Sequence, residues 1–462
     1  MSRRRVTLGA LILMLGLGGD LFAQVAARTE LPSDVMLGRL GLQRAWWAHA
    51  SIDSTRDRLK YFISDERITV AQSETGMVSV FDNANGRRLW TVQVGDPHEV
   101  RFRAVTNDHL VLIISGADMY ALNKFTGDVA WTVKVPTAVS TPPGLDETRA
   151  YVGSISGTVY AYDLVFLEKL SKDPRLAADM YHALKWQYKT GARIMYQPIS
   201  TGKVVVVASA DASLYGLDAA NRRLHFQFET DQPLSAPITQ IGKLIFVATE
   251  DRKAYCLDAE SGALKWELLS GLRIRQTPRV VEDYVYLRPE GYGLRCLSAK
   301  TGVPLWSNRQ ALAFLAATPA VVYASDVLGN VLLLNPKDGR QIGAFSMRQF
   351  PIRVANERTD RLYMASDHGL IVCIRERDRD LPLFHKSPEK GPILPEVAPD
   401  QPGAKPAAGT KKPSARKKKT EDEDASAEEK KENAKAAPAD ENTETPAAKS
   451  GKPAKPADSD NQ

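Results

Sequence analysis

Residues 255–267 read YCLDAESGALKWE, and the same frame recurs along the chain. VFDNANGRRLWT (80–91), ALNKFTGDVAWT (121–132), GLDAANRRLHFQ (216–227) and CLSAKTGVPLWS (296–307) each run from apolar residues to Asp, Asn or Ser, then through a turn to an aromatic. The aromatic positions Trp90, Trp131, Trp186, Phe226, Trp266 and Trp306 stand 41, 55, 40, 40 and 40 residues apart. A period near 40 marks repeated supersecondary units. A catalytic residue is needed once, whereas this phrase returns in most units. The phrase therefore reads as the building block of the fold rather than as an active-site signature.

Each unit parses into four short strands. In residues 277–307, TPRVV meets a turn at Glu282–Asp283, and YVYLR meets a second turn at Glu290–Gly291. GLRCLS then leads through AKTG into VPLWS. Short strands broken by turn residues at regular intervals indicate an all-β protein, and four per ~40 residues is the arithmetic of a propeller blade. The central hairpin occurs eight times, from RITVAQSETGMVSVFD (67–82) to RLYMASDHGLIVCIR (361–375). Only the first seven are followed by a fourth strand, the last being the degenerate QIGAFSM (341–347). The missing strand is expected in LQRAWWAHA (42–50), with Trp46 or Trp47 in the aromatic slot. Closing the ring in this way removes an exposed sheet edge. The expected fold is an eight-bladed β-propeller over residues 40–380, with seven blades as the alternative.

The residues of the phrase have structural duties. Asp82 and Asp258 end a strand and can accept hydrogen bonds from the turn that follows. Gly86, Gly127, Gly262 and Gly302 tolerate the positive φ such turns require. Trp90, Trp131, Trp186, Trp266 and Trp306 bring a large apolar area and an N–H donor, suited to filling the gap between neighbouring sheets.

The two ends differ from the middle. Residues 1–27 combine Arg3, Arg4 and Arg5 with an apolar run from Val6 to Leu17 and small residues at Ala23 and Ala27. The run is short for a membrane span, so an export signal is expected rather than a retained anchor. Residues 381–462 are rich in Lys, Ala, Pro and Glu and almost free of large apolar residues after Val397, which predicts a disordered tail. Its basic block Lys411–Lys419 offers contact with an anionic membrane or the cell wall, or serves only as a solvated tether. The net charge of +6 arises from 61 basic and 55 acidic residues and carries no nucleic-acid recognition motif, so no nucleic acid is expected.

YVGSISGTVYAYD (151–163) and YCLDAESGALKWE resemble the pyrroloquinoline-quinone (PQQ) type of repeat. That resemblance covers about residues 40–378 and implies the propeller fold. It implies two kinds of function, because the repeat occurs in quinoprotein dehydrogenases and in non-catalytic propellers such as that of the outer-membrane assembly machinery. The dehydrogenases typically carry an adjacent Cys–Cys pair, Ca²⁺ ligands and a catalytic Asp. Here Cys256, Cys296 and Cys373 are never adjacent and fill one repeat slot, where Ala121 and Ala161 stand in other units. Equivalent slots of different blades lie too far apart for a disulfide. The seven histidines show no metal-ligand spacing. No catalytic, cofactor-binding or metal residue is assigned, and no cofactor is expected.

Function is then expected where the repeat breaks. The long interval holds LVFLEKLSKDPRLAADMYHALKWQYK (164–189), where Asp173–Pro174 is a good helix start and Leu176, Met180 and Leu184 fall on one helical face. A helix over Pro174–Leu184 is expected, packed on the blade or facing a partner. Arg101, Arg103, Arg193, Arg273, Arg275 and Arg353 all lie at or just before the innermost strand of a unit. They are expected either to ring one channel mouth, attracting an acidic peptide or anionic glycan, or to form separate rim ion pairs. Leu176, Met180, Leu184, Arg193, Arg273 and Arg275 are the candidate partner-binding residues. The expected function is a monomeric, exported, non-catalytic scaffold for protein partners in a bacterial envelope, with outer-membrane protein assembly as the specific role the resemblance implies. A PQQ-dependent dehydrogenase and a glycan-binding sensor are the alternatives.

Overall fold

Alternating apolar runs and turn residues fold into eight antiparallel sheets of four strands each. A computed structural model describes residues 31–173 and 182–391; the expected export signal and nearly all of the expected tail lie outside these residues. Blade 1 is built from Leu59–Ser64, Ile68–Ser73, Met77–Asp82 and Arg88–Gln93, innermost strand first. The chain repeats this order to blade 8, whose strands Ile352–Arg353, Leu362–Ala365 and Leu370–Glu376 take the N-terminal strand β1 (Leu42–His49) as their outermost member. The eight-bladed expectation holds, and the ring closes through β1. Trp46 pairs with Cys373, as Trp266 pairs with Cys256 and Trp306 with Cys296. Trp46 therefore fills the aromatic slot, while Trp47 is 55% exposed.

Burial explains the sequence pattern strand by strand. Middle strands such as Val204–Ala208 are buried at every position because a neighbouring blade covers each face of the sheet. The outermost strands alternate, as in Leu264–Leu269, where Trp266 alone is buried. That Trp joins one blade to the next. The indole nitrogens of Trp46, Trp90, Trp186, Trp266 and Trp306 donate to the carbonyls of Asn83 (2.7 Å), Lys124 (2.9 Å), Ala219 (3.0 Å), Ala299 (2.8 Å) and Pro336 (2.7 Å), each in the outer turn of the following blade. The turn glycines lie against these rings. A Cβ on Gly262 would sit 2.4 Å from Phe226, and one on Gly302 would sit 2.6 Å from Trp266; both glycines have φ +72°. Gly86 and Gly127 face Trp46 and Trp90 in the same way. Asp258 accepts from the backbone N–H of Glu260 (3.1 Å) and Ser261 (3.0 Å), and Asp82 from that of Ala84 (2.8 Å).

Trp131 is the exception. Its indole N–H is buried and finds no acceptor among the described residues. The outer turn of blade 3, which would supply one, is replaced by helix α1 (Leu164–Lys172), and Trp131 packs instead in a cluster with Leu164 and Leu167. This helix precedes the one expected over Pro174–Leu184, which lies outside the described residues except at its last positions. Asp163 is its N-cap, accepting from the Phe166 N–H, and Asp173 is its C-cap. Leu184 lies in the strand Leu184–Lys189 paired with Tyr162, so no helix reaches it. Strand pairing with blade 3 outweighs the helical spacing there. Leu176 and Met180 lie outside the described residues.

The antiparallel order sorts the connections onto two faces. Blade-to-blade loops and the central hairpin turns share one face, here called upper. The innermost and outer turns, including α1, share the lower face. On the lower side the chain continues past the last strand as a strap, Arg379–Gly391. It lies along blade 8 through the Thr359–Phe384 bridge and the Leu383 N–H to Asp360 (3.1 Å). It then reaches blade 7 and blade 6 through His385, whose ring meets the Ala317 carbonyl at 3.0 Å and Glu282 at 3.2 Å.

Candidate functional site

Two regions concentrate features the repeat does not require: the central lumen and the upper face. The lumen encloses a cavity of about 790 Å³, continuous through shared lining residues with one of about 330 Å³. Its apolar wall comes from inner-strand and loop residues such as Leu145, Ile199 and Ile238. Lys386 and Ser387 of the strap line its lower end.

Arg103, Arg279 and Arg358 line both cavities. Arg279 pairs with Glu357 at 3.2 Å, and Lys386 holds the other oxygen of Glu357 at 3.3 Å. Arg358 grips Glu66 with contacts of 2.8 and 3.0 Å. Arg103 donates to the Gln197 side chain at 2.9 Å and has no carboxylate partner among the described residues. Surrounding protein lowers the Arg103 proton affinity below its ordinary value, and the charge of Arg279 adds to this. For Arg358 burial acts in the same direction, but Glu66 and Asp65 outweigh it and raise its proton affinity.

The expected arginine ring separates into different roles. Arg101 is buried, and its guanidinium ties down the loop before it through the carbonyls of Val94, Glu74, Pro97, Glu99 and Asp96. Arg353 does the same for Phe350, Gly329 and Met347. Arg273 and Arg275 form rim pairs: Glu250 lies 3.4 Å from Arg273 and 3.5 Å from Arg275, which also meets Glu290 at 2.9 Å. Arg193 is exposed on the upper face without an ion pair among the described residues. Only Arg103 carries its charge into the lumen without a carboxylate. A single ring is therefore not formed, because the loops consume two guanidiniums and hairpin-turn glutamates engage two more.

The upper face also exposes apolar side chains. Val100 and Leu272 project from blade-to-blade loops, 73% and 41% exposed. Ile155 projects from the central hairpin turn of blade 3, and Val327 and Leu328 from that of blade 7, at 57%, 80% and 58%. Turns fold well with polar residues in these places, so the hairpin geometry does not account for them.

Cys256, Cys296 and Cys373 are free and buried, and burial pushes each thiol up to about 12. Among the described residues no three His, Cys, Asp or Glu side chains gather into a cluster able to hold a metal ion. No described helix is long and apolar enough to cross a membrane.

Sequence reasoning missed Glu66, Arg279, Glu357, Arg358 and Lys386. Arg279 was within reach, since its inner-strand slot holds Val105, Gly144, Ile199 and Thr239 in blades 2 to 5. Glu357 and Arg358 sit in an innermost turn of blade 8 that runs from 354 to 361, where blade 6 uses only Glu282–Asp283. The strap gave no repeat signal.

The family described as outer membrane protein assembly factor BamB matches residues 74–168 and 227–379. Among solved structures, BamB from Moraxella catarrhalis is similar at 18% identity with a TM-score of 0.56, covering 73% of this chain and 98% of that one. The computationally designed Ika8 protein is similar at 11% identity with a TM-score of 0.55, covering 72% and 99%. These two likenesses concern the fold. No curated protein matches the chain.

Proposed function

This chain belongs to the outer membrane protein assembly factor BamB family, and we propose that it works as a non-catalytic, exported propeller whose upper face docks a protein partner in the bacterial envelope. The observation that carries this reading is the mixed character of that face. Val100, Ile155, Leu272, Val327 and Leu328 are exposed on turns held rigidly by the blades, and Arg193, Arg273 and Arg275 lie among the same loops. Arginine is enriched in protein–protein contact regions, and exposed apolar side chains beside it add area that a partner can bury. Rigid presentation lowers the entropy cost of association. Assembly of outer-membrane proteins is the specific role within this reading, and it rests on the family alone.

The test is co-purification from envelope extracts. Leu272→Asp combined with Val327→Asp is expected to abolish recovery of the partner while circular dichroism stays unchanged. Recovery at the level of the parent protein would remove the upper face from consideration. The rival dehydrogenase reading makes a separate demand: with PQQ and Ca²⁺ added, the purified protein would have to oxidise alcohols with a dye acceptor. We expect no such oxidation.

A further inference from the structure

The lumen carries an imbalance of charge that the fold does not need. Four cationic side chains, Arg103, Arg279, Arg358 and Lys386, line the larger cavity, and two carboxylates, Glu66 and Glu357, face them. Glu66 gives both oxygens to Arg358, and Glu357 divides its oxygens between Arg279 and Lys386. Both carboxylates are ion-paired to the other three cations, and among the described residues neither lies within ion-pair distance of Arg103. Arg103 is left with the neutral oxygen of Gln197. A guanidinium presents five donors, and one neutral acceptor satisfies few of them. Arg103 is exposed within the lumen and near enough to Arg279 to feel its charge, so its remaining donors face solvent and stand open to an anionic ligand.

The walls qualify the ligand. Tyr61 stands near Arg103, and Tyr196, Leu145, Ile199 and Ile238 line the same cavity. The two tyrosine hydroxyls are turned to backbone carbonyls, that of Arg101 for Tyr61 and that of Leu234 for Tyr196. The rings therefore present apolar surface. The strap bounds the lower end of the cavity, leaving the upper face as the entrance. A volume near 790 Å³ suits a small molecule and is too confined for a folded domain.

We propose that the lumen is a binding site for a small molecule bearing one carboxylate or phosphate group and an apolar or aromatic body. The oxyanion takes the open donors of Arg103, and the body lies against Tyr61, Tyr196 and the aliphatic wall. The site is distinct from the docking face, and its failure would leave the docking reading standing.

The experiment is calorimetric titration of the purified full chain with phenyl phosphate, with benzoate and with neutral benzyl alcohol. At least one anionic probe is expected to bind about tenfold or more tightly than the alcohol, and the tighter of the two identifies the head group. Arg103→Gln removes the charge without unpairing a carboxylate, and is expected to lose at least about tenfold in affinity with its melting temperature unchanged. Arg193→Gln, on the rim, is expected to bind as the parent does. Equal binding of the anionic and neutral probes would overturn the proposal. So would an Arg103→Gln protein that binds like the parent, or an Arg193→Gln protein that loses as much as Arg103→Gln.

Discussion

Replacing Trp266 and Trp131 by Phe in parallel should have unequal consequences, although both residues occupy the same slot of the repeat. Trp266 donates to the Ala299 carbonyl of the next blade at 2.8 Å, in a buried position. Phe keeps the ring but removes the donor, leaving that carbonyl without it, at a cost of about 1–3 kcal/mol. The smaller ring also gives up roughly 40 Å² of buried apolar surface, about 1 kcal/mol. Trp266→Phe should therefore destabilise by about 2–4 kcal/mol. Among the described residues Trp131 has no acceptor to lose, because α1 replaced the turn that would carry one. There the loss of area is offset by removal of a buried unpaired N–H, and Trp131→Phe should fall within about 1 kcal/mol of the parent. Urea unfolding followed by circular dichroism reads the difference as a shift in midpoint at constant slope. If Trp131→Phe shifted the midpoint as far as Trp266→Phe, the claim that the indole N–H joins neighbouring blades would be wrong.

Other consequences can be measured on the same protein. Gly262→Ala places a Cβ against Phe226 at φ +72° and should cost about 2–4 kcal/mol, whereas Arg222→Gly, at the equivalent turn position with φ 63°, should be neutral or stabilising by up to about 1 kcal/mol in thermal melts. The three thiols should resist Ellman's reagent in the folded protein and react in full in denaturant, since burial pushes each up to about 12. The backbone N–H of Ser261 holds the Asp258 carboxyl below its ordinary value, and the His225 side chain does the same for Asp218. A carboxyl depressed in the folded state stabilises fully above its unfolded value near 3.8 and loses that contribution as pH falls through the folded value. Stability should therefore drop below about pH 4, and the combined Asp218→Asn and Asp258→Asn protein should show a shallower drop in acid titrations.

The repeat made the blades legible because each unit solves the same packing problem. An aromatic that fills the space between sheets, and a turn that must clear it, recur at fixed spacing, so Trp90, Gly127 and Asp258 declare themselves. Closure by β1 was legible for the same reason, as one aromatic slot lacked an occupant among the later units. The helix Leu164–Lys172 was missed because its Asp163 cap also reads as the strand-end Asp of the repeat, and the end of the expected helix at Leu184 gave way to strand pairing across blade 3. The lumen was hidden by geometry. Glu66, Arg279, Arg358 and Lys386 are far apart in sequence, and only radial symmetry brings inner strands and innermost turns to one axis. Of the two readings of the arginines, separate rim pairs hold for Arg273 and Arg275, and a ring is prevented at Arg101 and Arg353 for an energetic reason. A guanidinium beside a loop rich in free carbonyls is claimed by that loop, as Arg101 and Arg353 are.

Docking by the upper face is tested most directly by placing a photo-crosslinking residue at single positions in cells that make the intact protein. Leu272, Val327 and Leu328 are the upper-face positions, and Phe125 on the lower face and Leu305 on an outer strand are controls of comparable exposure. A discrete crosslinked protein partner is predicted from the upper positions and none from Phe125 or Leu305. Crosslinks of equal yield from all five positions, or from the controls alone, would contradict the assignment of this face.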